Sequence, residues 1–435
     1  MSDIRFEGWL HRSGTGGVYQ DSAGNVGIAS TQPKTSLDIQ NGAFQVGPAG
    51  ICTVTSVNVG TAATIHANGN VTCGIITTTN IVNSTPLSHR NIVINGDMRV
   101  AQRSTSESMS DSGNDMPTCD RWNYSRNGVT ATVAQVAEAP DGTGLTHSLK
   151  WTSTSAVGSI AAGNTLIYLY KIETQDIKRL GYGASSAKTA TLSFYAKGSL
   201  AGKIGVNCRR DSKIFSANVD MTANTWQRHT IVIPADTSTG FSANDADNGW
   251  QFGITWGAGS NSTSGTTGGN WINFHNAYTA GFTAGQQGAY LTTSGSTFQI
   301  TGVQLEVGSV ATPFEHRSYA DELRRCKRYY HLWVEGANQF VCFGDFFTGG
   351  QCDGGVQLPV EMRATPSLDV NTGADYYIIY TNSTQSHIDG NFNIFKAHKR
   401  AVLWYAAPDT NRTAGHANRW ITNNASAKIA FDAEL

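Results

Sequence analysis

The sequence predicts an all-β protein, and three features of its composition support this. Charged residues make up 14% of the 435 residues, against about 25% in an average soluble protein, so few residues suit the exposed surfaces of helices. Gly is abundant, with 47 copies, whereas Pro occurs only 10 times. Segments rich in Thr, Val, Ile and aromatic residues alternate with Gly, Asn and Ser, a pattern typical of short strands joined by turns.

Residues 1–88 contain short alternating segments and no helix signal. Residues 25–29 and 35–40 have the pattern of brief strands, and the segments that begin at Gly50 and Gly74 open a loose repeat of small apolar and polar residues. Such small side chains bury little apolar surface within one chain. The pattern therefore predicts an intertwined trimeric β-shaft or β-prism, with an ordinary small β-domain as the alternative.

From residue 91 onward the strand candidates become longer and more aromatic, and the loops between them are rich in Gly, Ser and Asn. Strands joined in this way predict a jelly-roll β-sandwich. The candidates cover residues 91–95, 129–136, 145–152, 189–197, 204–209, 227–234, 250–256 and 297–305.

The clearest helix signal begins at Ser318. Ser318 is an N-cap candidate, Asp321 and Glu322 lie near the first turn, and basic residues follow, as the helix dipole favours. A helix over residues 318–335 would carry one apolar stripe, formed by Leu323, Cys326, Tyr330 and Trp333.

Strand candidates after this helix predict a small C-terminal β-sandwich. The predicted organisation is an N-terminal β-region over 1–88, a jelly roll over 89–317, a connecting helix over 318–335 and a C-terminal β-domain, the distal tip, over 336–435. Within the jelly roll, Gln304 and Glu306 alternate with Val303 and Leu305, which predicts a strand with one buried face. The run from residue 300 to 319 is interpreted as a structural connection between domains, with contact to a ligand as the alternative.

Several classes of protein are excluded by charge and by residue spacing. The net charge of −1 argues against a nucleic-acid binder, and no apolar run is long enough for membrane insertion. Residues 1–11 lack the apolar region of a signal peptide. The seven cysteines are odd in number and show no CxxC spacing, which predicts unpaired buried thiols.

No cofactor or metal site is predicted from the sequence. The histidines do not fall at metal-ligand spacing. The segment Asp245-Ala-Asp-Asn-Gly is similar to a fragment of a calcium loop but lacks the closing Glu, so a surface turn is preferred over a structural calcium site.

Acidic pairs were weighed as the two carboxylates that a glycan-cleaving enzyme needs. Two of the pairs lie in Gly/Ser/Asn-rich loops, where Asp favours turns, and the third is flanked by lysines. These pairs are Asp111 with Asp115, Asp245 with Asp247, and Glu173 with Asp176. Since no catalytic motif is present either, we predict that the chain is not an enzyme.

Several motifs in residues 91–435 together resemble tail-fibre-type proteins of tailed bacteriophages. The resemblance begins with Asn91-Ile-Val-Ile-Asn-Gly-Asp-Met-Arg-Val and Asp120-Arg-Trp, and it is strongest in Ile300-Thr-Gly-Val-Gln-Leu-Glu-Val-Gly-Ser and the residues that follow to Tyr319. Leu358-Pro-Val-Glu-Met-Arg-Ala-Thr-Pro looks like the strand that opens the C-terminal domain of such proteins. The N-terminal repeat is similar to shaft segments in phages that infect marine cyanobacteria.

This resemblance implies a homotrimeric virion fibre protein whose jelly roll is similar to carbohydrate-binding modules. It implies synthesis in the host cytoplasm and a place on the virion, as a tail appendage in preference to a capsid fibre. Expected partners are other virion tail or capsid proteins, reached through residues 1–88, and host cell-surface polysaccharide or lipopolysaccharide. A capsid decoration or tail connector without receptor binding is the alternative, and a polysaccharide-depolymerising tailspike is a third reading.

Candidate glycan contacts are aromatic rings that could stack on a sugar and a guanidinium that could bind its hydroxyls. Core packing is the competing interpretation, because Trp is mostly buried in folded proteins. The candidates are Trp404, Tyr405, Arg419 and Trp420 in the C-terminal region, with Trp256 and Trp271 beside the polar loop of the jelly roll.

Overall fold

The computed structural model describes residues 89–435, except 212, 242–244, 264–268, 274–287, 389 and 391, and short segments of residues 1–88. The chain divides into two units, Met1–Asn83 and Ser84–Leu435. The predicted all-β class is confirmed: strands dominate both units, and the described helices are few and short. None of those helices has the length and apolar character needed to cross a bilayer.

In the first unit, the described residues form two small sheets. One is antiparallel except for its last pair, which is parallel, and the other is antiparallel throughout. The first sheet contains β1 (Gly8–Leu10), β2 (Gly17–Gln20), β3 (Val26–Ile28) and β4 (Leu37–Ile39), and the second contains β5 (Val57–Val59), β6 (Ala63–Ile65) and β7 (Val71–Cys73).

The second small sheet has a regular register. It aligns Val57 with Ile65 and Val71, and it aligns Asn58 with Thr64 and Thr72. Apolar positions therefore pair with apolar positions and polar positions with polar ones, as the alternating sequence predicts. The repeat openings at residues 50–55 and 74–79 lie outside the described residues.

A two-sheet β-sandwich follows, which we call the jelly-roll sandwich. Among the described residues its sheets have the strand orders β19-β16-β15-β18-β13-β10-β9 and β17-β14-β20-β12-β11-β8. The strands are β8 (Ser106–Met109), β9 (Ser112–Asp115), β10 (Asn123–Asn127), β11 (Ala131–Val136), β12 (Ser148–Ser153), β13 (Thr165–Glu173), β14 (Ala190–Gly198), β15 (Gly202–Arg210), β16 (Lys213–Met221), β17 (Gln227–Ile233), β18 (Asn248–Ala258), β19 (Ile272–Asn273) and β20 (Thr297–Val307). Short helices connect them: α1 (Thr174–Ile177), a 3-10 turn (Lys178–Leu180), α2 (Ser260–Thr263) and α3 (Ala289–Thr292).

One segment departs from the sequence-based expectation. Residues 91–95 are predicted as a strand but bend at residues 94 and 95, where Asn95 has a left-handed φ of 57°. The side chain of Asn91 replaces much of the ladder: its Oδ1 accepts from the Leu305 amide at 3.1 Å, and its Nδ2 donates to the Val303 carbonyl at 3.2 Å. The Asn91 side chain, together with the backbone hydrogen bond from the Ile92 amide to the Leu305 carbonyl at 2.8 Å, thus holds this buried segment against β20.

The outer face of β20 is covered by a second segment, residues 309–317, which we call the clasp. Glu306 accepts hydrogen bonds from the Thr312 amide at 2.9 Å and the Thr312 hydroxyl at 2.7 Å, and Gln304 accepts from the Glu315 amide at 2.8 Å. Gln304 and Glu306 are 0% exposed. The prediction of one buried face for β20 is therefore wrong, because the clasp buries the polar face as well.

The connecting helix begins as predicted and ends early. It is α4 (Tyr319–Cys326), and the Ser318 hydroxyl caps it by accepting from the Asp321 amide at 3.1 Å. The expected continuation to residue 335 is wrong, since β21 (Tyr330–Glu335) is a strand that pairs with Lys428–Asp432. Aromatic and β-branched residues suit a strand, and pairing with a second strand overrides the helical spacing of the stripe.

Residues after α4 form a second β-sandwich, here the C-terminal sandwich. Among the described residues its sheets have the orders β21-β30-β24 and β26-β25-β29-β22-β23-β28-β27. The strands after β21 are β22 (Phe340–Thr348), β23 (Gln351–Gln357), β24 (Ser367–Asn371), β25 (Tyr377–Thr381), β26 (Thr384–Ile388), β27 (Asn393–His398), β28 (Ala401–Ala406), β29 (Ala417–Thr422) and β30 (Lys428–Asp432).

The two sandwiches are joined by buried ion pairs. Glu173 at the end of β13 accepts from Arg328 at 2.8 and 2.7 Å and from the Tyr329 hydroxyl at 2.5 Å. Arg121 is 1% exposed, pairs with Glu434, and lies over the Tyr329 ring at 3.5 Å. These contacts fix the C-terminal sandwich against the jelly-roll sandwich.

Candidate functional site

The structure places all four candidate tryptophans in hydrophobic cores. Trp256, Trp404 and Trp420 are 0% exposed and Trp271 is 9% exposed. Their assignment as glycan contacts is therefore corrected, because a ring needs a free face to stack on a sugar.

The two jelly-roll tryptophans pack within the sandwich. Trp256 stacks on Phe298 with ring centroids 4.7 Å apart and meets Trp151 edge-on at 5.6 Å. Trp271 donates its indole N–H to the Pro234 carbonyl at 2.8 Å. These contacts hold the facing sheets together and leave both rings without an open face.

Trp404 and Trp420 form the centre of the C-terminal core. Their rings meet nearly perpendicular, with centroids 6.1 Å apart, and Trp404 lies 6.2 Å from Phe431 of the facing sheet. Gly354 lies beneath them, and a Cβ there would be 2.9 Å from the Cys342 sulfur and 3.1 Å from the Trp404 indole nitrogen. A side chain at this position would displace the pair.

The other two candidates, Tyr405 and Arg419, lie on the opposite face of the same sheet. Successive residues of a strand point to opposite faces, so burying Trp404 turns Tyr405 outward, and burying Trp420 turns Arg419 outward. Arg419 is exposed and Tyr405 is half-buried. In each of these two adjacent pairs, the Trp therefore lies in the core and its neighbour lies at the surface.

Strand register collects further side chains around these two. Arg419 pairs across the ladder with Tyr380 on one side and with Phe343 on the other. In the next row, Asp345 pairs with Asp353, and Asp353 pairs with Tyr405. We name this set the C-terminal outer face: Tyr380, Arg419, Phe343, Asp345, Asp353 and Tyr405.

Sequence reasoning missed Phe343, the most exposed aromatic of this face, at 73% exposure. The run around it is strongly aromatic and has the pattern of a core strand. Backbone irregularities lie between Phe340 and Cys342 and between Phe346 and Thr348, and each shifts the register. The first irregularity breaks the alternation at Val341 and Cys342, which are both buried, and places Phe343 and Phe347 at the surface.

A surface depression of about 350 Å³ lies on this face. Phe343, Tyr380 and Arg419 form its floor, with the Arg419 guanidinium 5.0 Å from the centroid of the Tyr380 ring. Asn382 and Ser383 form one wall, in a hairpin turn where both have left-handed φ values, 44° and 62°. Rings and hydrogen-bonding groups thus line one shallow site.

Acidic residues that were weighed as catalytic pairs are occupied by cations in the structure. Arg126 pairs with Asp115 at 2.8 Å, and Lys178 pairs with Asp245. Burial would raise the pKa of Glu173, but hydrogen bonds from Arg328 and Tyr329 hold that pKa below its usual value. Each of the three pairs therefore has one carboxylate committed to a structural ion pair.

Metal-ligating groups of three or more side chains are absent from the residues that the structure describes. At the segment similar to a calcium loop, the backbone carbonyls of Asp245 and Asp247 accept hydrogen bonds from the amides of Gln175 and Thr174, at 3.0 and 2.9 Å. The segment forms a surface turn against α1.

The prediction of unpaired buried thiols is confirmed for the cysteines the structure describes outside the first unit. These are Cys119, Cys208, Cys326, Cys342 and Cys352, all buried and without a disulfide. Burial raises the pKa of the Cys342 and Cys352 thiols to about 12. They are therefore protonated and unreactive near neutral pH.

Comparison with known proteins gives similarity in fold alone. No family model and no curated protein match the chain. Similar solved structures include the enzymatically active domain of tailspike protein 4 from bacteriophage CBA120, at 12% identity and a TM-score of 0.26, covering 50% of this chain and 21% of that one. A family 11 carbohydrate-binding module from Clostridium thermocellum, in complex with a mixed-linked tetrasaccharide, has 11% identity and a TM-score of 0.23 over 48% of this chain and 98% of that one.

A xylan-binding domain from Paenibacillus barcinonensis is similar to the same degree, with 13% identity and a TM-score of 0.23 over 47% of this chain and 95% of that one. This chain therefore spans about a fifth of the tailspike domain and nearly all of the two binding modules. Its solved structural neighbours are carbohydrate-binding modules and a phage tailspike domain.

Proposed function

We propose that this chain is a non-enzymatic, homotrimeric fibre protein of a tailed-phage virion that binds host-surface glycan through the C-terminal outer face. The observation that carries the proposal is the depression floored by Phe343, Tyr380 and Arg419. An exposed aromatic ring beside hydrogen-bonding side chains is the usual way in which proteins hold a sugar ring.

Each group on the face has a distinct role in this proposal. The Phe343 ring, 73% exposed, supplies the apolar surface on which a pyranose stacks. Arg419 donates hydrogen bonds to hydroxyls, and its position over the Tyr380 ring limits the side-chain freedom lost on binding. Asp345 and Asp353, paired across the sheet, accept hydrogen bonds from hydroxyls.

The trimer and the place on the virion rest on the sequence. Strands of three or four residues in the first unit, rich in small side chains, favour association of several chains over a core within one chain. The motifs of residues 91–435 resemble phage fibre proteins. Three copies of one weak sugar site would also provide avidity, so a modest affinity at each site suffices.

The absence of catalysis is part of the proposal. Of the acidic pairs considered, each has a member bound by Arg or Lys: Asp115 pairs with the buried Arg126, Asp245 pairs with Lys178, and the buried Glu173 pairs with Arg328. A general acid or nucleophile of a glycosidase must instead be free to reach the glycosidic oxygen or anomeric carbon.

Binding of the purified protein to host cells and to their extracted lipopolysaccharide tests the proposal. Phe343→Ala and Arg419→Ala are expected to lower the apparent affinity, measured by surface plasmon resonance, by about fivefold or more, since one stacking ring contributes roughly 1 kcal/mol. Phe347→Ala is the matched control, because Phe347 is 67% exposed on the same strand but lies outside the depression.

Four outcomes would contradict parts of the proposal. Wild-type protein that binds neither cells nor lipopolysaccharide would favour the decoration or connector alternative. Release of reducing sugar from host polysaccharide would identify a depolymerase. Unchanged binding by both variants would remove the site from the C-terminal outer face, and a folded monomer at micromolar concentration in the ultracentrifuge would rule out the trimer.

A further inference from the structure

A second cavity lies between helix α4 and the clasp, and its lining is basic. Its volume is 620 Å³, within the range of small-molecule sites. Four arginines contribute to the wall, and two histidines lie among them: Arg317, Arg324, Arg325, Arg328, His89 and His316.

The acidic residues of the wall are already engaged. Glu315 accepts from the Asn91 amide at 2.9 Å and from Arg317 at 3.2 Å. Asp321 accepts from the Ser318 hydroxyl at 2.7 Å, in the cap of α4. With four arginines against two carboxylates, the wall has a formal charge of +2 before either histidine is protonated.

Two of the arginines are held by the protein and two are not. Arg328 donates to Glu173, and Arg317 donates to the Val93 carbonyl at 3.1 Å. For the guanidinium groups of Arg324 and Arg325, the described part of the chain provides no hydrogen-bond or ion-pair partner. Both belong to the last turn of α4 and line the cavity.

Arg325 also borders an adjoining polar cavity of 260 Å³, together with Arg179, Gln175 and Asp176. Burial lowers the pKa of Arg179, and the nearby carboxylate of Asp176 opposes this effect. The basic surface therefore extends beyond one pocket, and Arg325 stands where the two cavities meet.

We propose that this cavity binds an anionic group carried by a saccharide, a phosphate or a carboxylate, through Arg324 and Arg325. A planar guanidinium donates two parallel hydrogen bonds to either group, and two unpartnered guanidiniums that line one cavity can bind the same anion. The proposal rests on the proposed glycan-binding function for its biological meaning, but the site and its chemistry are separate from the C-terminal outer face.

Small sugars of defined charge test the site without knowledge of the host glycan. Glucose 6-phosphate, glucuronate and glucose are titrated into the full-length protein at low ionic strength by calorimetry. We expect at least one of the two acids to bind and glucose not to bind. If only glucose 6-phosphate binds, the site recognises phosphate. If only glucuronate binds, the site recognises carboxylate.

Variants assign the binding to the cavity. Arg324→Gln with Arg325→Gln should weaken binding of the acidic sugar by tenfold or more, and the corresponding double Lys variant should lose less because it keeps the charge. Lys188→Gln, at an exposed position outside the cavity, is the matched control and should bind as wild type. Circular dichroism and the melting temperature confirm that each variant is folded.

Several results would overturn the inference: no binding of either acid, equal binding of glucose, or equal affinity in the double Gln variant. The two proposals fail separately. The Phe343→Ala variant should bind the acidic monosaccharide as the wild type does. If this variant loses host adsorption and keeps acid binding, both the outer-face site and the cavity site are supported. If the wild-type protein binds the acidic sugar but does not adsorb to host cells, only the proposed receptor-binding function is wrong.

Discussion

Two sheets of the molecule carry outer faces of opposite kinds. On the six-stranded sheet of the jelly-roll sandwich, Gln304 and Glu306 are 0% exposed beneath the clasp. On the seven-stranded sheet of the C-terminal sandwich, Phe343 is 73% exposed and Arg419 is exposed as well. The polar face is covered and the aromatic face is open, the reverse of what hydrophobicity alone would suggest.

This contrast shows that the role of a sheet face depends on what folds over it. A covered polar face satisfies its buried groups by hydrogen bonds, as Glu306 does with Thr312, and so contributes to stability. An open aromatic face gains nothing for the fold and leaves surface available to a ligand. The predictions below test whether the two faces differ in this way.

The largest difference in stability is expected between substitutions on the two faces of the seven-stranded C-terminal sheet. Trp404→Ala should lower the free energy of unfolding by about 3–5 kcal/mol, because it leaves a cavity in the core. Phe343→Ala should change that free energy by no more than about 0.5 kcal/mol, since its ring is exposed. Urea denaturation followed by fluorescence measures both, and comparable losses would show that Phe343 belongs to the core.

A smaller difference in stability is expected between substitutions on the polar face covered by the clasp and on the open C-terminal outer face. Glu306→Ala removes the acceptor for Thr312 and should lower the free energy of unfolding by about 2–3 kcal/mol, because the half-buried amide and hydroxyl of Thr312 lose their partner. Asp345→Ala, the control on the open face, should cost about 0.5 kcal/mol or less. Equal costs in urea denaturation would contradict the distinction between the faces.

Acid should weaken the clasp. Burial alone would raise the pKa of Glu315, but hydrogen bonds from the Asn91 amide and the charge of Arg317 hold that pKa below its usual value. The folded pKa is the lower one, so its stabilising contribution is complete above the unfolded value of about 4.3 and is lost as pH falls through the folded value.

Glu315→Gln should therefore be less stable than wild type by about 1–2 kcal/mol near neutral pH. The difference should shrink as the pH falls below about 4.3. Unfolding free energies measured from pH 7 to pH 3 check this, and a difference that stays constant with pH would show that the Glu315 charge is not involved.

The smallest effect concerns the hairpin turn beside the depression. Ser383 has a φ of 62°, which Gly adopts without strain, so Ser383→Gly should raise stability by about 0.5 kcal/mol. Thr384→Gly on the adjoining strand is the control and should lower stability. A shift in melting temperature measures both, and destabilisation by Ser383→Gly would mean that the serine side chain, not the backbone, shapes the turn.

Strands with regular alternation could be predicted from the sequence, among them β14, β15 and β18. β29 was missed, because Asn418 and Arg419 interrupt its apolar pattern and only pairing with β22 and β25 defines it. The burial of Glu306 could not be predicted either, since it depends on a clasp that returns over the sheet in three dimensions.

About half of the candidate site could be predicted from the sequence. Trp404 and Tyr405 are adjacent on one strand, so strand geometry alone requires one to point inward and the other outward. The same argument applies to Arg419 and Trp420. Phe343 was beyond reach, because register shifts that only the folded sheet reveals decide which side of β22 it occupies.

The ion pairs between the sandwiches have a mechanical consequence. In the proposed fibre role, a virion bound to a cell would pull on the C-terminal sheet, and that load would have to reach the jelly-roll sandwich. Besides the covalent path through α4, it has parallel routes through Arg328 and Glu173 and through Arg121 and Glu434. Under that proposal, these ion pairs would share the load with α4, so the C-terminal sandwich should resist separation from the jelly-roll sandwich under flow.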